Sequence, residues 1–165
     1  MMMDTQRELE IRQEARFVLW ALRCAVSHSR GDEEAEAEIA WGFHMADVLD
    51  TSTEFWNFAA VLCSIRWSLS AWHDPRCGCI STEEIVLLQA LAETAERQRR
   101  QQREPAAWWR TLVPNTAVPS IDAQARAWLN ALDRAGVKFP CQGELVTGLR
   151  RLENLVEPAG ALRLH

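Results

Sequence analysis

Tyrosine is absent from this chain, and lysine occurs once, at Lys138. Aromatic packing therefore rests on eight Trp and five Phe, and basic charge rests almost wholly on arginine. Arginine spread along the whole sequence reads as a coding bias rather than as selection for bidentate contacts. An excess of positive charge is missing too: 18 basic residues face 23 acidic ones, for a net charge of -5. A nucleic-acid footprint is normally basic, so nucleic-acid binding is not expected of the surface as a whole. The acids gather early, with eleven against five bases in residues 1–50 and twelve against thirteen in the rest.

Long apolar runs are also lacking. The start, MMMDTQRELE, has neither a basic segment nor an apolar core, so no secretory signal is expected. The longest apolar tract, Phe55 to Trp72, is broken by Asn57 and Arg66. An arginine at mid-bilayer costs at least ~2.5 kcal/mol, which makes the tract a core helix and not a membrane span. Five cysteines, an odd number, argue for reduced thiols and a cytoplasmic location and against a disulfide framework. Recognisable enzyme signatures are absent as well: no glycine-rich phosphate loop, no nucleophile elbow, and no Glu-x-x-His pair of a di-iron bundle, the nearest approach being His44-x-x-Asp47.

What is present is helical periodicity. Glycine and proline fall where that periodicity breaks, and no alternating strand pattern exceeds about four residues. The expected fold is all-α: a single-domain helical bundle of about six to seven helices over 1–165. Four longer N-terminal helices occupy 5–103, and smaller C-terminal helices in 105–157 pack on them. A chain of this length can bury about 70% of its unfolded surface, enough for one core.

The first helix starts at a capping-box pattern, Thr5-x-x-Glu8, carries Ile11, Ala15, Val18, Leu22, Ala25 and Val26 on its apolar side, and ends at Gly31. The second opens on the acids Asp32 to Glu38, which suit the positive end of the helix dipole, and turns apolar through Ile39, Trp41, Phe43, Met45, Val48 and Leu49. A third, apolar on nearly all sides, runs from Thr51 to about His73 as the central helix. The fourth starts at Ser81-x-x-Glu84, and its polar second half, RQRRQQRE, stops before Pro105. Pro105 suits the first turn of a short helix bearing Trp108 and Trp109. Another helix covers about Ile121 to Ala135, with Gly136 as its terminating glycine, and the last spans about Gly143 to Val156. Trp20, Trp41, Trp56, Trp67 and Trp128 lie on apolar stripes and are expected in the core.

Three stretches carry candidate chemistry. In His73-Asp-Pro-Arg-Cys-Gly-Cys79, imidazole and thiolate are usual zinc ligands, although one residue between cysteines is shorter than the common structural spacing. If the first three helices pack up, down and up, their ends bring five donors together: Cys24 and His28 one turn apart on the first helix, then His73, Cys77 and Cys79. His44 and Cys63 sit too far along their helices to join. The plain alternative is a turn with buried thiols. Arg97 to Arg103 holds four arginines in seven residues, but Glu93 with Arg97 and Glu96 with Arg100 stand at the favourable i, i+4 order of a solvated helix. Arg97, Arg100, Trp108 and Trp109 are accordingly candidates for contacting a partner. A Trp-lined pocket between helices is a further candidate.

The run Phe17-Val-Leu-Trp-Ala-Leu-Arg23 and the segment Pro75-Arg-Cys-Gly-Cys-Ile-Ser-Thr-Glu-Glu84 give residues 16–92 a resemblance to a group of small helical bacterial proteins without an assigned activity. The resemblance implies a helical fold and a recurring Cys-containing turn, and nothing about substrate. The expected function is a small cytoplasmic interaction or regulatory protein without catalysis, self-associating or binding a protein partner. A zinc-binding module built on HDPRCGC is the first alternative, and an enzyme or carrier of an apolar ligand the second.

Overall fold

A computed structural model describes residues 12–65 and 72–145. Those residues are all-α, with no strand among them. The helices are α1 (Gln13–Ser29), α2 (Ala35–Met45), α3 (Ser52–Ser64), α4 (Thr82–Arg99), α5 (Trp109–Leu112) and α6 (Val118–Arg134), with 3-10 turns at Leu49–Thr51 and Asn115–Ala117. Residues 142–145 are again helical. The capping pattern at Thr5, the aromatic Trp67, and most of the last helix expected to Val156 lie outside the described residues. Among the described residues, no helix is long and apolar enough to cross a membrane.

Several helix ends differ from expectation for one physical reason. After α2, Asp47 takes a left-handed backbone (φ 57°), and the Val48 N–H bonds the Phe43 carbonyl at 2.9 Å. After α4, Gln101 does the same (φ 56°), with the Gln102 N–H on the Arg97 carbonyl at 2.8 Å. Both are helix stops of the type that glycine usually makes, built here on residues that carry no glycine signal. So α2 ends before Val48, and α4 stops at Arg99 and not at Arg103. Gly136 follows the ordinary rule: its φ is 91°, and the Val137 N–H reaches back to the Leu132 carbonyl at 2.9 Å. Pro105 is not in the first turn of α5, which starts at Trp109. Pro119 instead lies at the start of α6, which begins three residues earlier than its apolar spacing suggests.

The largest departure is α3. It ends at Ser64, where Ile65 turns extended (ψ 129°); residues 66–71 of the expected helix lie outside the described residues, and Trp72 and His73 are not helical. Its buried side is Phe55, Phe58, Ala59 and Leu62, packed mainly on α6 and also on α1. Trp128 of α6 lies 5.0 Å from Phe55 and 5.8 Å from Phe58, measured between ring centroids. Phe43 continues the series towards Phe55 at 5.0 Å and Phe17 at 5.4 Å, and Phe58 continues it towards Trp109 at 6.1 Å. A file of aromatic rings thus crosses the core, and α6 forms part of that core.

α1 and α2 approach closely where Gly42 meets the Trp20 indole. A Cβ on Gly42 would fall well inside contact distance of the Trp20 ring carbons. Alanine in place of a mid-helix glycine normally gains up to ~1 kcal/mol in helix propensity. Here overpacking, about 1–3 kcal/mol, outweighs the gain. Gly42→Ala is therefore expected to be net destabilising in urea denaturation and to shift the Trp20 emission. Equal or higher stability would show that the indole has room to move aside.

Candidate functional site: a clamped loop, its cleft and an exposed apolar face

Arg23 sits in the middle of the apolar side of α1, between Leu22 and Cys24, and its side chain is 5% exposed. A buried guanidinium must have its donors satisfied. Its Nε and Nη2 form a two-pronged pair with Glu84 Oε1 and Oε2, both at 2.8 Å. Nη1 donates to the Cys77 carbonyl at 2.8 Å, and Nη2 also donates to the Cys79 carbonyl.

Glu84 is the third residue of α4 and closes the capping box expected there. The Glu84 N–H donates to Ser81 Oγ at 3.1 Å, while the Glu84 carboxylate accepts from the Ser81 N–H at 3.0 Å. The same carboxylate accepts from the His73 N–H at 3.1 Å. Four donors thus converge on one buried carboxylate, which fixes both ends of the loop from His73 to Ser81 against α1. Between them, Asp74 starts a turn: its carbonyl accepts from the Cys77 N–H at 2.9 Å and its Oδ1 from the Arg76 N–H at 2.9 Å, with Pro75 in the corner that proline favours.

This clamp decides the fate of the expected metal donors. The loop does not meet the C-terminal end of α1; it lies beside the middle and N-terminal half of that helix. His73 and Cys77 come together, with Nδ1 and Sγ 3.9 Å apart. The Cys79 N–H points at Cys77 Sγ, 3.3 Å away. Cys24 and His28 do not join them. Cys24 is fully buried, and its thiol is pushed up to about 12, by burial first and then by Glu38, Asp32 and Asp74. His28 packs edge-on to Trp56 at 5.5 Å. Cys63, set aside in the sequence because α3 was expected to run on, is the thiol that reaches the end of α1. It bonds Ser29 there, and burial raises its pKa. Among the described residues, no three His, Cys, Asp or Glu side chains gather as a metal-ligand set.

Beside the loop lies a cleft of about 380 Å³ between it and α1, walled by Phe17, Trp20, Pro75, Ile80 and Cys77, with Gln13 at one rim. A space of this size is within the usual range for small-molecule pockets, which run from about 300 to 1,000 Å³.

The expected partner-binding residues divide. Trp109 is fully buried, its Nε1 set between Thr94 Oγ1 and Asp122 Oδ1 at 3.1 Å each, so it is a core residue and presents nothing to a partner. Trp108 is half-buried. Arg97 pairs with Glu93 and Glu104, each at 3.8 Å, and Arg100 with Glu96 at 2.9 Å; the pairs with Glu93 and Glu96 are both in the i, i+4 arrangement read from the sequence.

The exposed apolar surface lies elsewhere. Ile39 and Phe43 turn the core side of α2 inward, while Trp41 is 67% exposed, Met45 64% and Leu49 48%. Trp41 was expected in the core, and Met45 and Leu49 belong to the same apolar run of the sequence. Trp41 and Met45 stand one turn apart on α2, and Leu49 is exposed in the 3-10 turn that follows the left-handed Asp47. The acids Asp32, Glu33, Glu34 and Glu36 are exposed just before them. A periodicity that marks every second or third position as apolar, as in IAWGFHM, does not say which apolar positions face inward; only the packing of α2 on α1 does.

Compared with models of known protein families, with curated proteins and with solved structures, the chain matches none.

Proposed function

We propose that the chain is a small non-catalytic interaction or regulatory protein that associates with a second copy of itself through the outer face of α2. The exposure of Trp41, Met45 and Leu49 carries the reading. Scattered exposed hydrophobics are ordinary, but Trp41 and Met45 stand one turn apart on one helix, Leu49 is exposed in the turn that follows, and tryptophan is the residue most often found as an interface anchor. Charge supports a second copy as the occupant. The acids Asp32, Glu33, Glu34 and Glu36 are exposed shortly before Trp41, and the same chain exposes the arginines Arg100 and Arg103 at the end of α4. An acidic and apolar face on one copy complements the arginine-bearing end of α4 on another, and such a head-to-tail contact closes into a ring or extends as a chain.

Sedimentation velocity at micromolar concentration should show species larger than the 18.8 kDa monomer, weakened by added salt. Trp41→Ser should restore the monomer and leave the helical circular dichroism and the unfolding midpoint unchanged, because that side chain is mostly in solvent. Arg100→Glu should weaken association as well, and recover when combined with Glu34→Arg. A strict monomer at all concentrations would remove the proposal. Association that Trp41→Ser leaves intact would move the interface away from α2.

A further inference from the structure

We propose that Cys77 is a modification site: its thiol forms a mixed disulfide with a low-molecular-weight thiol compound whose body lies in the cleft between α1 and the His73–Ser81 loop. This goes beyond the proposed self-association and does not depend on it, since the α2 patch and the cleft share none of the residues argued from.

Three observations place the chemistry at Cys77. First, it is the one cysteine among the residues walling the cleft of about 380 Å³, where Phe17, Trp20 and Ile80 offer apolar surface and Gln13 a polar rim. Second, it stands in a cluster of groups suited to thiol exchange. The His73 ring nitrogen is 3.9 Å from Sγ, within reach of the thiol proton, and the Cys79 N–H donates to Sγ from 3.3 Å, which fixes the position of the sulfur. Third, the clamp holds that cluster still: the carbonyls of Cys77 and Cys79 are both bonded to Arg23, and the His73 N–H to Glu84.

The other thiols are in poorer positions. Cys24 is closed off in the core and pushed up to about 12, and burial raises Cys63. Cys141 accepts from Arg99 and is the rival, but it is not among the residues lining the nearby smaller cavity of about 140 Å³.

The step balances with a small disulfide, R–S–S–R, as the oxidant. The Cys77 thiolate attacks one sulfur, the Cys77–S–S–R bond forms and the R–S–S–R bond breaks. One R–S⁻ leaves and takes up a proton, while the proton of Cys77 passes to His73 or to water. Cys77 is oxidised and the leaving half of the reagent is reduced.

The test is to incubate the reduced full chain with glutathione disulfide and to map the adduct by peptide mass spectrometry over time. The expected result is an adduct at Cys77 formed at least about tenfold faster than at any other cysteine, together with a change in Trp20 emission. His73→Asn, which keeps the backbone bond to Glu84, should slow the adduct at Cys77 several-fold without changing the rate at Cys141. Preferential labelling of Cys141 would overturn the proposal. So would labelling spread over the exposed thiols, or a loss of two mass units at Cys77 and Cys79 with no retained adduct.

Discussion

Replacing Glu84 with alanine is expected to lower the unfolding free energy by about 3–5 kcal/mol, the range for removing one partner of a buried ion pair. The size follows from what is left behind. The Arg23 guanidinium, 5% exposed, would have no counter-charge, and the N–H groups of His73 and Ser81 would lose their acceptor. The N-terminal cap of α4 would also keep only half of its box. A urea titration followed by circular dichroism reads the loss. Arg23→Met combined with Glu84→Leu should recover a large part of it, because replacing both charges with apolar groups of similar volume removes the unpaired charge instead of exposing it. If the double variant were no better than Glu84→Ala, the hydrogen bonds to the loop, and not the charge pair, would be the main contribution.

Asp122→Ala is expected to cost about 2–4 kcal/mol, since bonds to a charged acceptor contribute about 1.5–3 kcal/mol each and do not add fully. Asp122 lies on α6, is 3% exposed, and ties three elements together. Its Oδ1 accepts from the Ala106 N–H at 3.0 Å and from the Trp109 indole at 3.1 Å, and its Oδ2 from Arg126 Nε at 2.7 Å. Arg126 in turn donates to the carbonyls of Gln102 and Glu104, both at 2.8 Å, so the connection from α4 to α5 hangs on the same carboxylate. For a chain of this size, 1 kcal/mol corresponds to about 2–4 °C in Tm, so a drop of roughly 5–15 °C is expected by calorimetry. Asp122→Asn keeps an oxygen for Ala106 and Trp109 and should cost much less. A drop of equal size for both variants would locate the effect in the Arg126 ion pair.

Local rules made the helical class, the capping box at Ser81 and the stop at Gly136 readable from the amino acids, because each depends on residues within one turn of one another. The stops at Asp47 and Gln101 were not readable, since a left-handed aspartate or glutamine leaves no composition signal. Ending α3 at Ser64 was missed for a related reason: the apolar pattern continues past it. Of the candidate site, His73 and Cys77 were identified and do meet. Arg23 was overlooked, although an arginine within an apolar stripe, together with a capping glutamate 61 positions later, is a pattern that invites pairing. The pairing itself is a long-range fact, and so are the burial of Trp109 and the exposure of Trp41.

The file of rings through the core also bears on how fast the chain can fold. Phe43 and Phe55 are near in sequence, but Phe55 and Trp128 are 73 positions apart, and the Arg23–Glu84 pair between α1 and α4 joins residues 61 apart. Individual helices form within about a microsecond, whereas joining segments so distant costs loop entropy before any contact rewards it. The slow step is then the arrival of α6 against α3. Trp128 supplies the α6 side of the packing around Phe55 and Phe58, so a chain cut before α6 is expected to leave part of both rings uncovered and to aggregate more readily than the whole.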